Sequence, residues 1–255
     1  MRKTPMERWR LLPYDVGPSA AHFALGDALV RNATVPTVWW HSTTRETLIL
    51  GPRQADETAR ATVVDVVRRQ SGGTAVLARP GVLGLDVVLP RSHPLIRADV
   101  VESYRWLGEV WLDALRRLDV NGHLVSIAEA RSAPVPPPLV RKACFGSLSP
   151  YEVTVEGRKL VGLAQVRRTA GILLQSGIHL TYDAGRLAAL LAPGDPDLPE
   201  LLSQAGVGLN ELSPAAGGQD TMDAFTAALA ERLAIRLDPG DWTAGERTRP
   251  EAARP

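Results

Sequence analysis

The sequence predicts an α+β fold, a mixed β-sheet with helices packed mainly on one face. Short runs alternate apolar and polar residues about tight turns, as where Tyr151, Val153 and Val155 alternate with Glu152 and Thr154. Another run places Val100, Tyr104, Leu107, Val110, Trp111, Ala114, Leu115 and Leu118 at helical spacing. The two kinds of run are interleaved along the chain and several strands adjoin through hairpins, which is the pattern of a mixed sheet rather than a purely parallel one.

Taken in order, residues 1–7 read as a polar leader and Trp9 to Leu12 as a first strand. Ser19 is placed to cap a helix running to Arg31, with Phe23, Ala24, Ala28 and Leu29 on its inner face. Val35 to His41 and Thr47 to Leu50 read as strands joined by the polar turn Ser42 to Glu46. Val63 to Arg69 is an apolar run into a basic pair, and Ser71-Gly72-Gly73-Thr74 follows, with Gly84 to Leu89 as the expected partner strand. Glycines there let the backbone approach a ligand and offer free N–H groups to an oxygen; a plain hairpin turn is the alternative. Val100 to Leu118 is the clearest helix, Val125 to Ala128 suggests a strand, and the prolines from Pro134 dictate an extended loop through Leu139. A hairpin follows, turning at Glu156-Gly157 and returning along Leu160 to Val166, then a strand over Ile172 to Leu180. Helices are expected over Asp183 to Leu191, Leu198 to Gln204 and Thr221 to Leu233, the last capped by Asp220. Residues 247–255 are polar and expected to be disordered.

Composition narrows the function classes. With 45% hydrophobic and 22% charged residues the 255-residue chain is globular, and no internal linker divides it. A net charge of +1 supplies no field for nucleic acid or for an anionic membrane. No stretch reaches the roughly 18 apolar residues of a membrane span. The first thirty residues lack a signal-peptide core and the single cysteine excludes an internal disulfide, so a cytoplasmic setting is expected.

Chemistry concentrates between Cys144 and Leu180. The sole cysteine is followed fifteen residues later by Lys159, just past the hairpin turn. A free thiol titrates near pH 8.5 and becomes a nucleophile beside a cation, so Cys144 and Lys159 are the candidate catalytic pair. A small buried cysteine without function is the competing reading. The histidines form no metal-ligand spacing.

The run Y-E-V-T-V-E-G-R-K-L-V-G-L-A-Q from Tyr151, with Cys144-Phe145 upstream and Gln175-Ser176-Gly177 downstream, resembles the lipoate-protein ligase and octanoyltransferase family. So do R-R-Q-S-G-G-T-A-V from Arg68 and Leu50-Gly51-Pro52-Arg53-Gln54. The resemblance covers about residues 8–246, implies the biotin/lipoate ligase type of catalytic domain over that span, and implies that the accessory C-terminal domain of the larger ligases is absent. It implies substrate contacts at Arg69, Ser71, Gly72, Gly73, Thr74, Ala75, Gly157, Gly162, Ala164 and Gln175. An acyl channel lined by Val76, Val161 and Ala164 is expected from position. The family's helix after the first strand typically carries Asp-Glu, where only Asp27 stands here.

The family joins an eight-carbon acyl group to a lysine of a lipoyl carrier domain, either a 2-oxo acid dehydrogenase E2 component or a glycine-cleavage carrier protein. Cys144 matches the cysteine that one transferase type acylates first, with acyl carrier protein as octanoyl donor and no cofactor. An ATP- and Mg2+-dependent ligase is the alternative, and a divergent acyl- or carrier-binding protein without turnover is the other. Thr74, Leu77-Ala78-Arg79, Leu163 and Ser176 depart from the family pattern. No histidine matches a family position, so the resemblance supplies no general base beside Cys144.

Overall fold

The computed structural model describes residues 6–55 and 64–247. The expected leader lies mostly outside these residues, as do Val63 and nearly all of the C-terminal tail. Among the described residues the main sheet has nine strands. At its centre β3 (Thr37–Thr43) pairs antiparallel with β7 (Val82–Pro90), β7 with β11 (Gly171–His179), and β11 with β10 (Arg158–Arg167). On one side β1 (Glu7–Leu11) joins β3 in parallel and β12 (Ile235–Pro239) joins β1. On the other, β9 (Val153–Val155) and β8 (His123–Leu124) complete the order, while β2 (Asp15–Gly17) extends β3. The sheet is mixed, as the alternation of runs predicts.

Side chains alternate between its faces. Leu85, Val87 and Leu89 of β7 meet Leu107, Val110 and Trp111 of α2 (Arg105–Arg116) and Phe225 and Leu229 of α7 (Gly218–Leu233) in one large core. Trp111 packs on Phe225 with ring centroids 4.7 Å apart. Such fully buried side chains contribute about 1.5–3 kcal/mol each relative to exposure, so this face holds most of the fold's stability. The opposite face carries Trp39, Val88 and Leu173, covered in part by Leu29 and Val30 of α1 (Ser19–Arg31).

A small sheet of β5 (Asp65–Arg68), β4 (Thr47–Leu50) and β6 (Val76–Ala78) stands apart. Its core of Leu48, Leu50 and Leu77 is shared with α4 (Ala184–Leu191) and α5 (Leu198–Ala205). Several local expectations change here. The strands before and after the Ser42–Glu46 turn belong to different sheets, and β5 pairs with β4 while β7 pairs with β3 and β11. The Ser71–Thr74 segment is therefore a loop between β5 and β6, not a hairpin with Gly84–Leu89. Val125–Ala128 is no strand: Ser126 caps the short helix α3 (Ile127–Ser132), its hydroxyl accepting from Glu129 N–H and its own N–H donating to Glu129. Ser19 is the first helical residue of α1 rather than its cap, which is Pro18. Asp220 sits inside the first turn of α7, its carboxylate accepting from the Gly217 N–H at 2.8 Å. The short helices α6 (Leu209–Leu212) and α8 (Ala244–Arg247) complete the set.

Candidate functional site

On the α1 side of the main sheet, opposite the large core, lies a cavity of about 500 Å³. Its floor follows from strand register. Gly162 of β10 lies beside Gly177 of β11, which lies beside Gly84 of β7, which lies beside His41 of β3. The next row on the same face is Ala164, Gln175, Asp86 and Trp39. Gly162 and Gly177 leave backbone where side chains would stand, so a ligand chain has room to lie over them, whereas the His41 ring fills the space over Gly84. Of the expected channel residues Val76 and Ala164 line this cavity, whereas Val161 points into the large core, because neighbouring strand residues face opposite ways.

The glycine-rich loop and the cysteine segment are joined by backbone. Cys144 N–H donates to the Ala75 carbonyl at 2.7 Å, and Ala75 N–H to the Lys142 carbonyl at 2.9 Å. Gln54 Nε2 donates to the same Lys142 carbonyl at 3.0 Å, while its Oε1 accepts from Gly51 N–H. Gly51 and Gly73 pack so closely that a Cβ at 51 would stand 1.9 Å from the Gly73 carbonyl. Gly73 itself has φ of 100°, and a Cβ there would strike the Arg69 guanidinium. The Leu50–Gln54 motif thus positions the loop and Cys144 together, a role invisible until the segments are adjacent.

Cys144, at the start of a short 3₁₀ turn, is half-buried and lines the cavity. The cation beside its thiol is Arg69, whose Nη2 lies 3.6 Å from Sγ and also donates to the Thr74 carbonyl at 2.8 Å. This corrects the expected pairing with Lys159. Lys159 Nζ instead donates to the Cys144 carbonyl at 2.8 Å and forms an ion pair with Glu152 at 2.6 Å, both side chains being almost fully buried. The hairpin explains it. Glu156 and Gly157 both have positive φ at the turn, as a tight hairpin requires, and Lys159 pairs with Thr154 just beyond. The ammonium is thereby turned inward onto Glu152.

Alternation misassigned Thr154, 3% exposed, and with more consequence Glu152, which reads as solvent-facing and is 2% exposed. Burial pushes its carboxyl upward in pKa, against the pull of Lys159 and of N–H groups from Ser149 and Leu163. The only available signal was chemical: a glutamate and a lysine on the two arms of one hairpin.

Arg69, Ser71, Gly72, Gly73, Thr74, Gly162, Ala164 and Gln175 all line the cavity together with Cys144 and Lys159. Ala75 and Gly157 stand outside the lining, Ala75 because its backbone holds Cys144 and Gly157 because it forms the hairpin turn. Arg69 Nε and Ser71 Oγ are buried without a partner among the described residues. Three histidines missed by the motifs also reach the lining, His22, His41 and His179. His179 stands edge-on to Phe145 at 4.8 Å and to Tyr182 at 5.3 Å. Burial, aided by Arg79, lowers its pKa to about 4. Ser176, at a departure from the motif, turns toward the core and accepts from Trp111 Nε1 at 2.9 Å. Among the described residues no three His, Cys, Asp or Glu gather to hold a metal, and no helix is long and apolar enough to cross a membrane.

The model of the lipoyl protein ligase A/B catalytic domain matches residues 18–234, across both sheets and the cavity between them. The chain belongs to that family. Curated relatives include the octanoyltransferase LipM of Kyrpidia tusciae, 34% identical over 95% of this chain and 93% of the relative. LipM of Geobacillus kaustophilus is 31% identical over 94% and 92%. Among solved structures, lipoate-protein ligase A bound with ATP superposes with a TM-score of 0.75 at 19% identity, covering 95% of this chain and 92% of that one. A bipartite lipoate-protein ligase from Thermoplasma acidophilum, studied with its E2 lipoyl domain, gives 0.74 at 18% identity over 95% and 90%. The family's members are ligases and transferases of lipoyl or octanoyl groups, and the mixed sheet with its helices is their shared architecture.

Proposed function

We propose that the protein transfers an octanoyl or lipoyl group to the lysine of a lipoyl carrier domain through a thioester on Cys144. The observation that carries this reading is the cysteine itself: its Sγ lies 3.6 Å from Arg69, at the wall of a cavity whose floor is open backbone. The thiolate attacks the carbonyl carbon of an acyl thioester, with acyl carrier protein as donor. A new C–S bond forms, the donor's C–S bond breaks, and the donor leaves as a thiolate that takes up a proton from solvent. The neutral amine of the carrier lysine then attacks the Cys144 thioester. A C–N bond forms, the C–S bond breaks, and Sγ leaves as thiolate while the proton shed by the nitrogen passes to solvent.

The oxyanion developing at each attack needs donors that are already oriented. Arg69, whose Nη2 stands 3.6 Å from Sγ, is placed to supply one. Lys159 acts one step removed, holding the Cys144 carbonyl and so the thiol's position. The thioester route needs no cofactor; ATP and Mg2+ belong to the ligase route. The partner class is a lipoyl carrier domain of the 2-oxo acid dehydrogenase or glycine-cleavage type. The E2 lipoyl domain of the Thermoplasma ligase supports the first of these.

Intact-protein mass spectrometry after incubation with octanoyl-acyl carrier protein, without ATP, tests the proposal. A single octanoyl adduct is expected, absent in Cys144→Ala and discharged by added lipoyl carrier domain. Carrier acylation only when ATP and free acid are supplied, and undiminished in Cys144→Ala, would replace it with the ligase reading. Carrier binding without acylation under either condition would leave a binding protein.

A further inference from the structure

The floor over Gly162 and Gly177 has a closed end. A Cβ on Gly162 would meet Phe145 at 3.7 Å and Glu152 at 3.8 Å, and one on Gly177 only the Leu83 carbonyl at 4.0 Å. Each position therefore has room for a methylene-sized group. A Cβ on Gly84, the next residue in the row, would stand 2.3 Å from Cε1 of His41. The imidazole leans from β3 over β7 and lines the cavity where open backbone would otherwise continue.

That ring is held from behind. His22 lies 4.6 Å from it and Trp39 4.8 Å, centroid to centroid. His22 is fixed by Asp15 at 2.9 Å, and Trp39 rests edge-on against Trp242 at 4.8 Å. Nε2 of His41 stands 3.7 Å from the Asp86 carboxyl group, which accepts from Gln175 at 2.9 Å. Side chains packed in this way yield little, so a longer ligand meets a wall rather than a free rotor.

Direction follows from the sheet. On the same face of β11, Gln175 and His179 stand two residues to either side of Gly177, and both line the cavity. A chain resting over Gly177 is thus flanked along the strand and runs across the strands, from Phe145 and its neighbour Cys144 toward His41. From β10 to β7 is two strand spacings, about 10 Å, comparable with an extended octanoyl chain.

We infer that the His41 ring is the stop that limits acyl length in this cavity, which makes it a specificity-determining residue remote from the reacting carbonyl. The inference rests on the reading of the cavity as the acyl site of a Cys144 thioester.

Intact-protein mass spectrometry of the full chain, with octanoyl- and decanoyl-acyl carrier protein compared as donors and no ATP, tests it. The wild-type protein is expected to form the octanoyl adduct about tenfold faster than the decanoyl adduct. His41→Ala should raise the decanoyl-to-octanoyl rate ratio about tenfold, the worth of two newly buried methylenes. His41→Asn, smaller than the ring and still polar beside Asp86, carries the same expectation should His41→Ala fail to fold. His41→Phe keeps a ring and should keep the limit, which separates bulk from polarity. Equal rates for the two donors in the wild-type protein, an unchanged ratio in the folded small variant, or a limit lost in His41→Phe would overturn the inference and leave the acyl site standing. No adduct on Cys144 with either donor would remove the thioester reading and the inference with it.

Discussion

Lys159 and Glu152 show how little a residue's identity says about its partner. A lysine beside the only cysteine reads as the thiol's cation, yet its ammonium is consumed by a buried carboxylate and a carbonyl, and an arginine from a distant loop takes the place beside Sγ. Removing one member of a buried pair leaves the other charge without compensation. Glu152→Ala is expected to destabilise the fold by about 3–5 kcal/mol, measured by urea unfolding. Lys159→Met should cost a similar amount, and the double variant less than the sum of the singles. Additive losses would show that the two groups are not coupled. Acylation of Cys144 should slow in Lys159→Met because the carbonyl that it holds is released.

At the scale of elements, the decisive feature is a register that brings glycines of β7, β10 and β11 into one row. Each glycine alone reads as a weak point in a strand. Side by side, Gly162 and Gly177 form a trough, which the His41 ring closes at Gly84. A Cβ at Gly177 would find only the Leu83 carbonyl, 4.0 Å away, so a side chain fits the fold and fills the cavity instead. Gly177→Val is thus expected to leave the melting temperature within a few degrees and to abolish octanoyl-adduct formation, checked by calorimetry and mass spectrometry on one preparation. The β9–β10 hairpin was legible because Glu156-Gly157 carries a turn signature in four residues. The pairing of β5 with β4 was not, since nothing local distinguishes a loop between strands of a small sheet from a hairpin turn.

For the whole molecule, burial of the sheet's α1 face sets a pH dependence. His22 and His179 both have pKa values lowered to about 4 by burial, from an unfolded value near 6.5. Between these values the unfolded chain binds protons that the folded chain refuses, so stability falls as pH drops through that window and is retained above it. Each histidine should contribute a loss of about 2 kcal/mol between pH 7.5 and pH 5. Urea midpoints across that range should show the decline, and His179→Gln should flatten it. An unchanged slope in the variant would place the titration elsewhere.

By itself the sequence determined the kind of fold, the helices of the large core, the hairpin and the family, because those depend on local periodicity, turn chemistry and motifs read along the chain. Most of the site residues it marked also line the cavity. Tertiary structure alone decided which cation faces Cys144, that Glu152 is buried, and that three glycines share a row. Each of these depends on strand register or on contact between segments far apart in the chain, and a one-residue change of register would turn the glycine row to the other face.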